Sequence, residues 1–348
     1  MTENGKILII RLSSIGDIVL TSPLVRVLRQ RYPSSKIDFV VQKKYAELIR
    51  FNPNLNLCYE FDSTKGFPDL SSLKAKIRKE GYDIIIDIHN NFRSRYLRAN
   101  IGASKVVTIN KRIFERIMLV KFKKSYYRGI ISVADRYIEP MQSFGVQNDG
   151  RGLELFIPKE IRNNVKIILA QEGIQSDENI IGFCPSSKHA TKCWPIERFA
   201  EVGIRLAKEW NKPIVLFGGP EDAQKCAMIV QLIQAKLENH PIIDFSGKLS
   251  LLETAEMMKA CNVILTNDSG LMHIAAAMKR KIVAIFGSTV EEFGFYPIGT
   301  ECIVLNKQSL KCRPCSHIGL DSCPKKHFCC MMDIQIEEVC QAIKTILV

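Results

Sequence analysis

The sequence predicts an α/β protein with two doubly wound halves. Short apolar, β-branched runs recur along the chain and alternate with longer stretches of helical periodicity, as in parallel sheets covered by helices. Polar loops also follow several of the predicted strands, at the sheet edge where α/β proteins bind ligands. At 348 residues the chain is long enough for two domains of ordinary size.

The composition is typical of a soluble globular protein, with 46% hydrophobic and 24% charged residues. No apolar run approaches the length of a membrane span, and the chain enters a strand within a few residues, without a signal peptide. We therefore expect a cytoplasmic protein whose 12 cysteines are reduced or in part metal-bound.

Positive charge is concentrated in the first half. Residues 1–150 hold 26 Lys and Arg against 14 Asp and Glu, whereas residues 151–348 hold 23 against 22. A basic half predicts an anionic partner, such as nucleic acid, an anionic membrane surface or a phosphorylated macromolecule. A basic surface without any ligand is the competing interpretation.

The first half opens with a buried strand at 6–12 and continues with helical periodicity from Ile18 to Tyr32. The turn between them lacks the G-x-G-x-x-G spacing of a dinucleotide site. Its carboxylate either caps the helix or serves as a general base at the strand ends. The candidate residues of this turn are Ser13, Ser14, Gly16 and Asp17.

A second strand, 82–88, leads into a polar, basic loop that contains His89, Asn91 and Arg93. A solvated loop is the alternative interpretation for that histidine. Residues 111–128 are basic and interleaved with apolar and aromatic side chains, which suits either an anionic membrane surface or a helix with a solvated basic face. Because no nucleic-acid-binding module is recognisable, nucleic acid is the less attractive partner.

In the second half, a helix at 158–173 precedes a strand at 179–184. The loop after that strand suits a diphosphate, because its hydroxyls donate hydrogen bonds and its lysine adds a point charge. It does not have the Walker A spacing. The candidate residues of this loop are Ser186, Ser187, Thr191 and Lys192.

Two further strand ends carry carboxylates. Glu221 follows the strand and glycine turn at 213–219. Its carboxylate either accepts hydrogen bonds from ribose hydroxyls or stabilises the N-terminus of the next helix through the helix dipole. Asp268, Ser269 and Gly270 follow an apolar run and precede a helix of small residues, so free backbone amides could bind phosphate there. An ordinary βα turn is the alternative for this segment.

Four segments together resemble the bacterial heptosyltransferases, glycosyltransferases of the GT-B type that build the inner core of lipopolysaccharide. The segments are Arg11–Asp17 (RLSSIGD), Asp87–Ser94 (DIHNNFRS), Pro185–Pro195 and Thr266–Ala277. The resemblance implies a GT-B fold with two Rossmann-like domains facing a central cleft. It also implies inverting, metal-independent transfer from ADP-heptose to Kdo-lipid A, or to an inner core that already bears one heptose.

The same resemblance implies roles for individual residues. Asp17 would deprotonate the acceptor hydroxyl, and Lys192 would stabilise the ADP leaving group. The family's P-G-[ST] loop is here Pro185-Ser186-Ser187, and the lost glycine changes how closely the backbone approaches phosphate. The predicted substrate-binding set is Ser13, Ser14, Gly16, His89, Asn91, Arg93, Ser186, Ser187, Thr191, Glu221, Asp268, Ser269, Gly270, Leu271 and His273. A packed helix histidine is the alternative for the last of these.

A cysteine-rich segment lies near the C-terminus, between 312 and 330. Its C-x-x-C pair, followed by more cysteine and histidine, resembles a structural zinc site. The predicted ligands are Cys312, Cys315, Cys323 and Cys330, with His327 as an alternative to the last. A reduced, cysteine-rich loop without metal is the competing interpretation. Catalysis would need no cofactor.

The predicted organisation has four parts: an acceptor-binding domain at 1–157, a linker helix at 158–177, a nucleotide-sugar-binding domain at 178–335, and a helix at 336–348 that could cross back to the first domain. We expect a cytoplasmic enzyme, peripheral on the inner membrane, that adds the second heptose. The alternatives are a GT-B transferase with another nucleotide sugar and a non-catalytic, zinc-stabilised protein that binds anionic glycolipid.

Overall fold

The computed structural model describes residues 5–174 and 180–347, and the chain divides into two compact units. The first unit comprises 1–112 and 131–156, and the second comprises 113–130 and 157–348. Within the described residues, each unit is built on one parallel sheet. The end of the predicted linker, 175–177, the first residue of the predicted strand at 179 and the terminal residue 348 lie outside the described part.

The first unit contains a five-stranded sheet in the order β3-β2-β1-β4-β5, with every neighbouring pair parallel. Its central strands read as continuous apolar runs because helices cover both faces. The strands are β1 Lys6–Ile10, β2 Lys36–Gln42, β3 Leu57–Phe61, β4 Ile84–Asp87 and β5 Lys105–Thr108.

The second unit contains a six-stranded sheet in the order β11-β10-β9-β6-β7-β8, again with parallel neighbours. Read from the other edge, this is the strand order of a dinucleotide-binding Rossmann domain. The strands are β6 Ile180–Cys184, β7 Ile214–Leu216, β8 Ile242–Asp244, β9 Cys261–Asn267, β10 Lys281–Ile285 and β11 Cys302–Leu305.

Helices connect the strands in both units. In chain order they are α1 Ile15–Val19, α2 Ser22–Arg31, α3 Glu47–Arg50, α4 Gly66–Glu80, α5 Phe92–Arg98, α6 Ile113–Phe122, α7 Val133–Ile138, α8 Lys159–Gln171, α9 Ile196–Trp210, α10 Ala223–Gln234, α11 Leu251–Met258, α12 Gly270–Ala277, α13 Cys329–Met332 and α14 Ile336–Leu347. Eight of them, α6 and α8 to α14, belong to the second unit, and the other six belong to the first.

The helix predicted from Ile18 to Tyr32 is two helices, α1 and α2. Pro23 lies in the first turn of α2, where its missing N–H and fixed φ start a helix but cannot continue one. The hydroxyl of Thr21 donates to the Ile18 carbonyl at 2.7 Å and closes the junction. Because α1 is short and separate, Asp17 lies in the first turn of its own helix.

The core of the second unit includes the C-terminal helix. Trp194, Phe183 and Phe199 are buried with Val339 and Ile343 of α14 in one apolar cluster. The helix predicted at 336–348 is α14, which groups with the second unit, and its crossing back to the first domain stays a prediction. Its apolar face is buried against α9 and strands β9, β10 and β11 of its own unit.

The domain membership of segment 113–130 differs from the prediction, which placed these residues in a continuous first domain at 1–157. The segment groups with the second unit. Lys123 Nζ donates to the carbonyls of Cys312 and Pro314 at 3.0 and 2.5 Å, which ties the segment to the cysteine-rich region. The first unit ends at Phe156, and the second unit resumes at Ile157. Among the described residues, no helix is both long and apolar enough to cross a membrane.

Candidate active site

Both sheets have a topological switch point, where the strand order reverses and ligands bind outside the carboxyl ends of the strands. In the first unit this point lies between β1 and β4, and in the second it lies between β6 and β9. Each of the four strands is followed by a loop that the sequence singled out. The fold therefore brings the predicted residues together in pairs of neighbouring loops.

Asp17 is the centre of a hydrogen-bonded group after β1. Its carboxylate pairs with Arg11 at 2.7 Å, and it accepts from the Ser14 hydroxyl and the Tyr137 hydroxyl, both at 2.9 Å. The side chain keeps 18% of its surface exposed, so an outside group can reach it. Asp17 thus has a fixed position and one accessible side.

Burial alone would raise the pKa of Asp17. The Arg11 charge and the hydrogen bonds from Ser14 and Tyr137 outweigh that effect and hold the pKa below its ordinary value. Arg11 is itself fixed, since it donates to the carbonyls of Ser13 at 2.7 Å and Ile88 at 2.8 Å. Asp17 is therefore ionised at neutral pH, as a proton acceptor must be.

The loop after β4 lies beside this group. Burial, and then the positive charge of Arg11, lower the pKa of His89 to about 3, so the imidazole is neutral at physiological pH. The buried carboxylate of Asp87 accepts from the backbone amides of His89 and Asn90 at 3.1 and 2.7 Å and shapes the turn. The neutral imidazole can donate or accept a hydrogen bond but does not add charge.

Two other residues predicted in this loop have contacts that are structural. The Asn91 side chain accepts from the Ser94 amide at 2.9 Å and caps α5. Arg93 is exposed, with its guanidinium 5.8 Å from the centre of the Phe61 ring. The sequence did not distinguish an N-cap asparagine from a ligand-binding one, because both require a polar residue at a strand end.

Lys192 and Asp268 form the corresponding ion pair in the second unit, at 2.7 Å. They are 14% and 6% exposed, so solvent screens the pair only partly. Asp268 also accepts from the Thr289 hydroxyl at 2.7 Å, and its backbone carbonyl accepts from the Ser187 hydroxyl at 2.8 Å. The loops after β6, β9 and β10 therefore meet at one carboxylate.

Asn267 fixes the spacing of the two central loops. It is fully buried at the end of β9, and its amide donates to the Pro185 carbonyl at 2.7 Å. Its side-chain oxygen accepts from the Trp194 amide at 3.0 Å. One side chain thus holds both ends of the segment that carries Lys192.

Two buried hydroxyls of this region, those of Ser186 and Ser269, have no hydrogen-bond partner among the described residues. Leaving a buried hydroxyl unpaired costs about 1–3 kcal/mol. Both lie at strand ends, and α12 begins at Gly270 with its free amides beside them. Hydroxyls, amides and the nearby Lys192 are the donors that diphosphate oxygens require.

The cysteine-rich segment supports the same loops from the outside. Thr191 and Leu320 exchange two hydrogen bonds, with the Thr191 amide donating at 3.0 Å and its hydroxyl accepting at 2.8 Å. Arg313 donates to the Thr289 carbonyl at 2.7 Å, and the Cys315 amide donates to the Ser288 carbonyl at 3.1 Å. The segment therefore positions the donors on both sides of Asp268.

Gly319 of the cysteine-rich segment lies very close to the side chains of His189 and Lys192. Its φ is +107°, and an added Cβ would lie 2.5 Å from His189 Cβ and 2.9 Å from Lys192 Cδ. Only a residue without a side chain allows this backbone conformation and this separation together. The stem of Lys192 is thus packed directly against the supporting segment.

Comparison with known proteins assigns the chain to a family. Residues 70–325 match the model of glycosyltransferase family 9 (heptosyltransferase). The chain belongs to this family. It is 26% identical to lipopolysaccharide heptosyltransferase 2 of Salmonella typhimurium over 308 residues, 83% of this chain and 84% of that protein.

Two solved structures have the same fold. A glycosyltransferase family 9 protein from Veillonella parvula aligns over 100% of this chain and 98% of its own, at 28% identity and a TM-score of 0.78. Escherichia coli ADP-heptose lps heptosyltransferase II aligns over 98% of both chains, at 22% identity and a TM-score of 0.74. The fold class is GT-B, as predicted, with two Rossmann-like units.

Several remaining predicted residues of this family 9 protein have ordinary packing. His273 is 2% exposed and lies in α12 with its ring centre 6.3 Å from that of Phe295. Leu271 is half-buried in the same helix, and Glu221 is exposed in a turn after β7. Gly16 is buried in α1. Their assignment to substrate binding stays a prediction.

Sequence reasoning missed three residues that organise the family 9 site: Tyr137, Asn267 and Thr289. A tyrosine 120 residues from its partner carries no local signal. Asn267 lies in the segment Thr266–Ala277 that was already singled out, and Thr289 follows β10. Buried asparagine or threonine after a strand could have indicated loop-to-loop hydrogen bonds.

The arrangement of the cysteine-rich segment does not itself form a metal site. Within 5–174 and 180–347, no three His, Cys, Asp or Glu side chains are grouped closely enough to hold a metal ion. Cys330 is buried in the apolar core and Cys315 is half-buried. Burial raises the pKa of both thiols, that of Cys330 to about 12, so they are protonated at neutral pH without a cation.

Proposed function

We propose that this glycosyltransferase transfers heptose, with inversion, from ADP-heptose to the inner core of lipopolysaccharide, and that it adds the second heptose. The observation that carries the proposal is the ion-paired carboxylate at the switch point of each sheet in a family 9 chain. The Salmonella typhimurium relative and the Escherichia coli structure have heptosyltransferase, with lipopolysaccharide or lps, in their names, which supports the sugar and the acceptor class.

On the acceptor side, Asp17 would take the proton of the attacking hydroxyl. The new bond joins that oxygen to the anomeric carbon, and the bond from the same carbon to the diphosphate breaks. A carboxylate with a lowered pKa is a weak base, so it accepts the proton only as positive charge builds up on the attacking oxygen in the transition state. Arg11 and Tyr137 would keep the Asp17 carboxylate ionised and oriented toward the acceptor hydroxyl.

On the donor side, Lys192 would neutralise charge on the departing ADP. Ser186 and Ser269 would donate their unpaired hydroxyls to the diphosphate, together with the amides at the start of α12. Glu221 would contact the ribose. In this scheme a lysine and neutral donors stabilise the leaving group, and the reaction needs no cofactor.

The test is a transfer assay with purified full-length protein and ADP-heptose, in which mass spectrometry follows ADP and the glycolipid product. We expect product from Kdo-lipid A that already bears one heptose and none from bare Kdo-lipid A. Product from the bare acceptor alone would overturn the second-heptose assignment. Turnover only with another nucleotide sugar would identify the related GT-B activity instead.

We also propose that the enzyme acts in the cytoplasm, peripherally on the inner membrane, where a glycolipid acceptor is accessible. The absence of a membrane-crossing helix among the described residues is compatible with peripheral attachment. Fractionation of cells that express the protein tests this. We expect it in the membrane pellet at low salt and in the supernatant at high salt, since screening weakens attachment through surface charge.

A structural zinc ion at Cys312, Cys315, Cys323 and Cys330 stays a proposal as well. Its support is the C-x-x-C spacing, and binding would require the four thiols to move together and lose their protons. We expect elemental analysis to find about one zinc per chain. Cys315→Ser should lower the zinc content. Protein stripped of metal by a chelator should have a lower thermal stability than the untreated protein, and unchanged stability would contradict the proposal.

A further inference from the structure

Segment 113–130 has an unusual concentration of exposed apolar side chains. Six large ones lie within these eighteen residues, and each exposes between 44% and 61% of its surface. They are Ile113, Phe114, Ile117, Phe122, Tyr126 and Ile130. We refer to them, with the exposed Lys121, Lys124 and Arg128, as the α6 patch. Contiguous exposed apolar surface of this kind marks an interaction site.

The orientation of α6 is opposite to that of an ordinary surface helix. At 100° per residue, Ile113, Ile117 and Phe122 fall on one half of the helix, and Lys121 lies between them. Leu119 points to the other side and is 7% exposed. A surface helix normally buries its apolar stripe and exposes charge. Here the larger part of the apolar side chains faces outward.

Positive charge surrounds the apolar residues. Residues 121–130 contain Lys121, Lys123, Lys124 and Arg128 and no acidic residue. Lys123 donates to two carbonyls of the cysteine-rich segment, so the tail after α6 is anchored to the body of the second unit. The other three cations are exposed. An anchored helix that presents aromatic and cationic side chains has the chemistry of an interfacial membrane segment.

We propose that the α6 patch docks on an anionic phospholipid bilayer, with its apolar side chains inserted below the headgroups and Lys121, Lys124 and Arg128 at the phosphates. The proposal builds on the proposed function, because a bilayer would hold a glycolipid acceptor near the enzyme. Charge favours lipid over a second copy, since two such surfaces face to face would bring like charges together. A nucleic acid would use the cations but not the exposed isoleucine and phenylalanine side chains.

The test measures co-sedimentation of the full-length protein with phosphatidylcholine vesicles, with and without about 30% phosphatidylglycerol. No donor or acceptor is added, so failure here is distinct from failure of the proposed reaction. Lys121→Gln/Lys124→Gln should lower the partition coefficient about 30-fold, because each cation near an anionic surface contributes about fivefold. Phe114→Ser/Phe122→Ser should lower it at least about tenfold.

A matched control lies elsewhere in the same unit, on α8. Lys166 and Ile167 are adjacent and exposed, and Lys166→Gln/Ile167→Ser should bind vesicles like the wild type. Circular dichroism checks that all variants are folded. Equal vesicle binding by the wild type and both patch variants would overturn the proposal. So would a concentration-dependent dimer that the patch variants abolish, with no vesicle binding by the wild type.

Discussion

Asp17 in the first unit and Asp268 in the second both follow a central strand of a parallel sheet, and both are paired with one cation at 2.7 Å. Their other partners differ. Asp17 receives hydrogen bonds from Ser14 of its own helix start and from one distant residue, Tyr137. Asp268 lies where three loops meet, and a separate segment supports those loops from outside.

This difference separates two ways of building a charged site. The first site is largely local, since Arg11, Ser14 and Asp17 all lie within the Arg11–Asp17 segment. The second depends on tertiary contacts, and two of its buried hydroxyls, those of Ser186 and Ser269, have no hydrogen-bond partner among the described residues. A local site suits a single proton acceptor, whereas an anion with many oxygens needs donors gathered from several loops. Four predictions test this contrast.

The largest effect is expected at Asp17. Asp17→Asn removes the proton acceptor but leaves its shape, and we expect kcat to fall by about 10²–10⁴-fold with little change in ADP binding. Steady-state kinetics and ADP titration measure the two quantities. The matched control is Asp333→Asn, an exposed aspartate. Unchanged turnover in Asp17→Asn would remove the general-base role and with it the contrast between the sites.

The Lys192–Asp268 pair can be dissected by a double-mutant cycle. Lys192→Gln leaves a buried carboxylate unpaired, which should cost about 3 kcal/mol of unfolding free energy. It should also lower kcat about 100-fold through the lost leaving-group charge. Adding Asp268→Asn should restore most of the stability, measured by urea denaturation, but not the turnover. Restored turnover would mean that Lys192 matters only as a structural partner.

Gly319→Ala tests the support of the second site. The new methyl would collide with His189 and the stem of Lys192, so we expect about tenfold weaker ADP binding by calorimetry. Gly129→Ala is the control, because Gly129 has a φ of +95° but open space around its Cβ position. Both variants place an alanine at a positive φ and are strained in the backbone, but only Gly319→Ala should displace Lys192. Equal ADP affinity in the two variants would argue against a supporting role.

The smallest effect is expected for Tyr137→Phe, which removes one hydrogen bond to Asp17. We expect kcat to fall about fivefold. That bond stabilises the ionised carboxylate, so its loss raises the pKa of Asp17. The acid limb of the pH profile of kcat/KM should therefore move to higher pH. A purely structural tyrosine would leave the limb in place, and no limb near pH 6.5 should arise from His89.

Most of the sheet framework could be predicted from the sequence, because fully buried parallel strands are continuous apolar runs. Strands β3, β5 and β11 were not predicted, since they are only partly buried and their apolar runs are short. The break between α1 and α2 was missed because the amphipathic pattern continues across it. The placement of 113–130 depends on Lys123 hydrogen bonds to residues far along the chain, for which no periodicity gives a signal.

The charged residues of the candidate site could be predicted from the sequence, but their hydrogen-bond partners could not. Asp17, Lys192 and Asp268 could be singled out because carboxylates and lysines at strand ends are few, and a parallel sheet brings its strand ends to one edge. The partners Tyr137 and Thr289 could not be singled out, because only the tertiary structure brings their hydroxyls within hydrogen-bond distance of Asp17 and Asp268. Asn91 is a polar residue at a strand end whose side chain caps a helix, and its assignment to substrate binding stays a prediction.

The contact of Gly319 with Lys192 also has a consequence for engineering. A loop at 185–192 taken from a relative would place different side chains against Gly319, whose Cβ position lies less than 3 Å from side-chain atoms of His189 and Lys192. The loop at 185–192 and the segment at 312–320 therefore form one exchangeable module and should be moved together. Chimeras that divide them would be expected to fold with a misplaced lysine, whereas chimeras that keep them together should preserve the proposed nucleotide site.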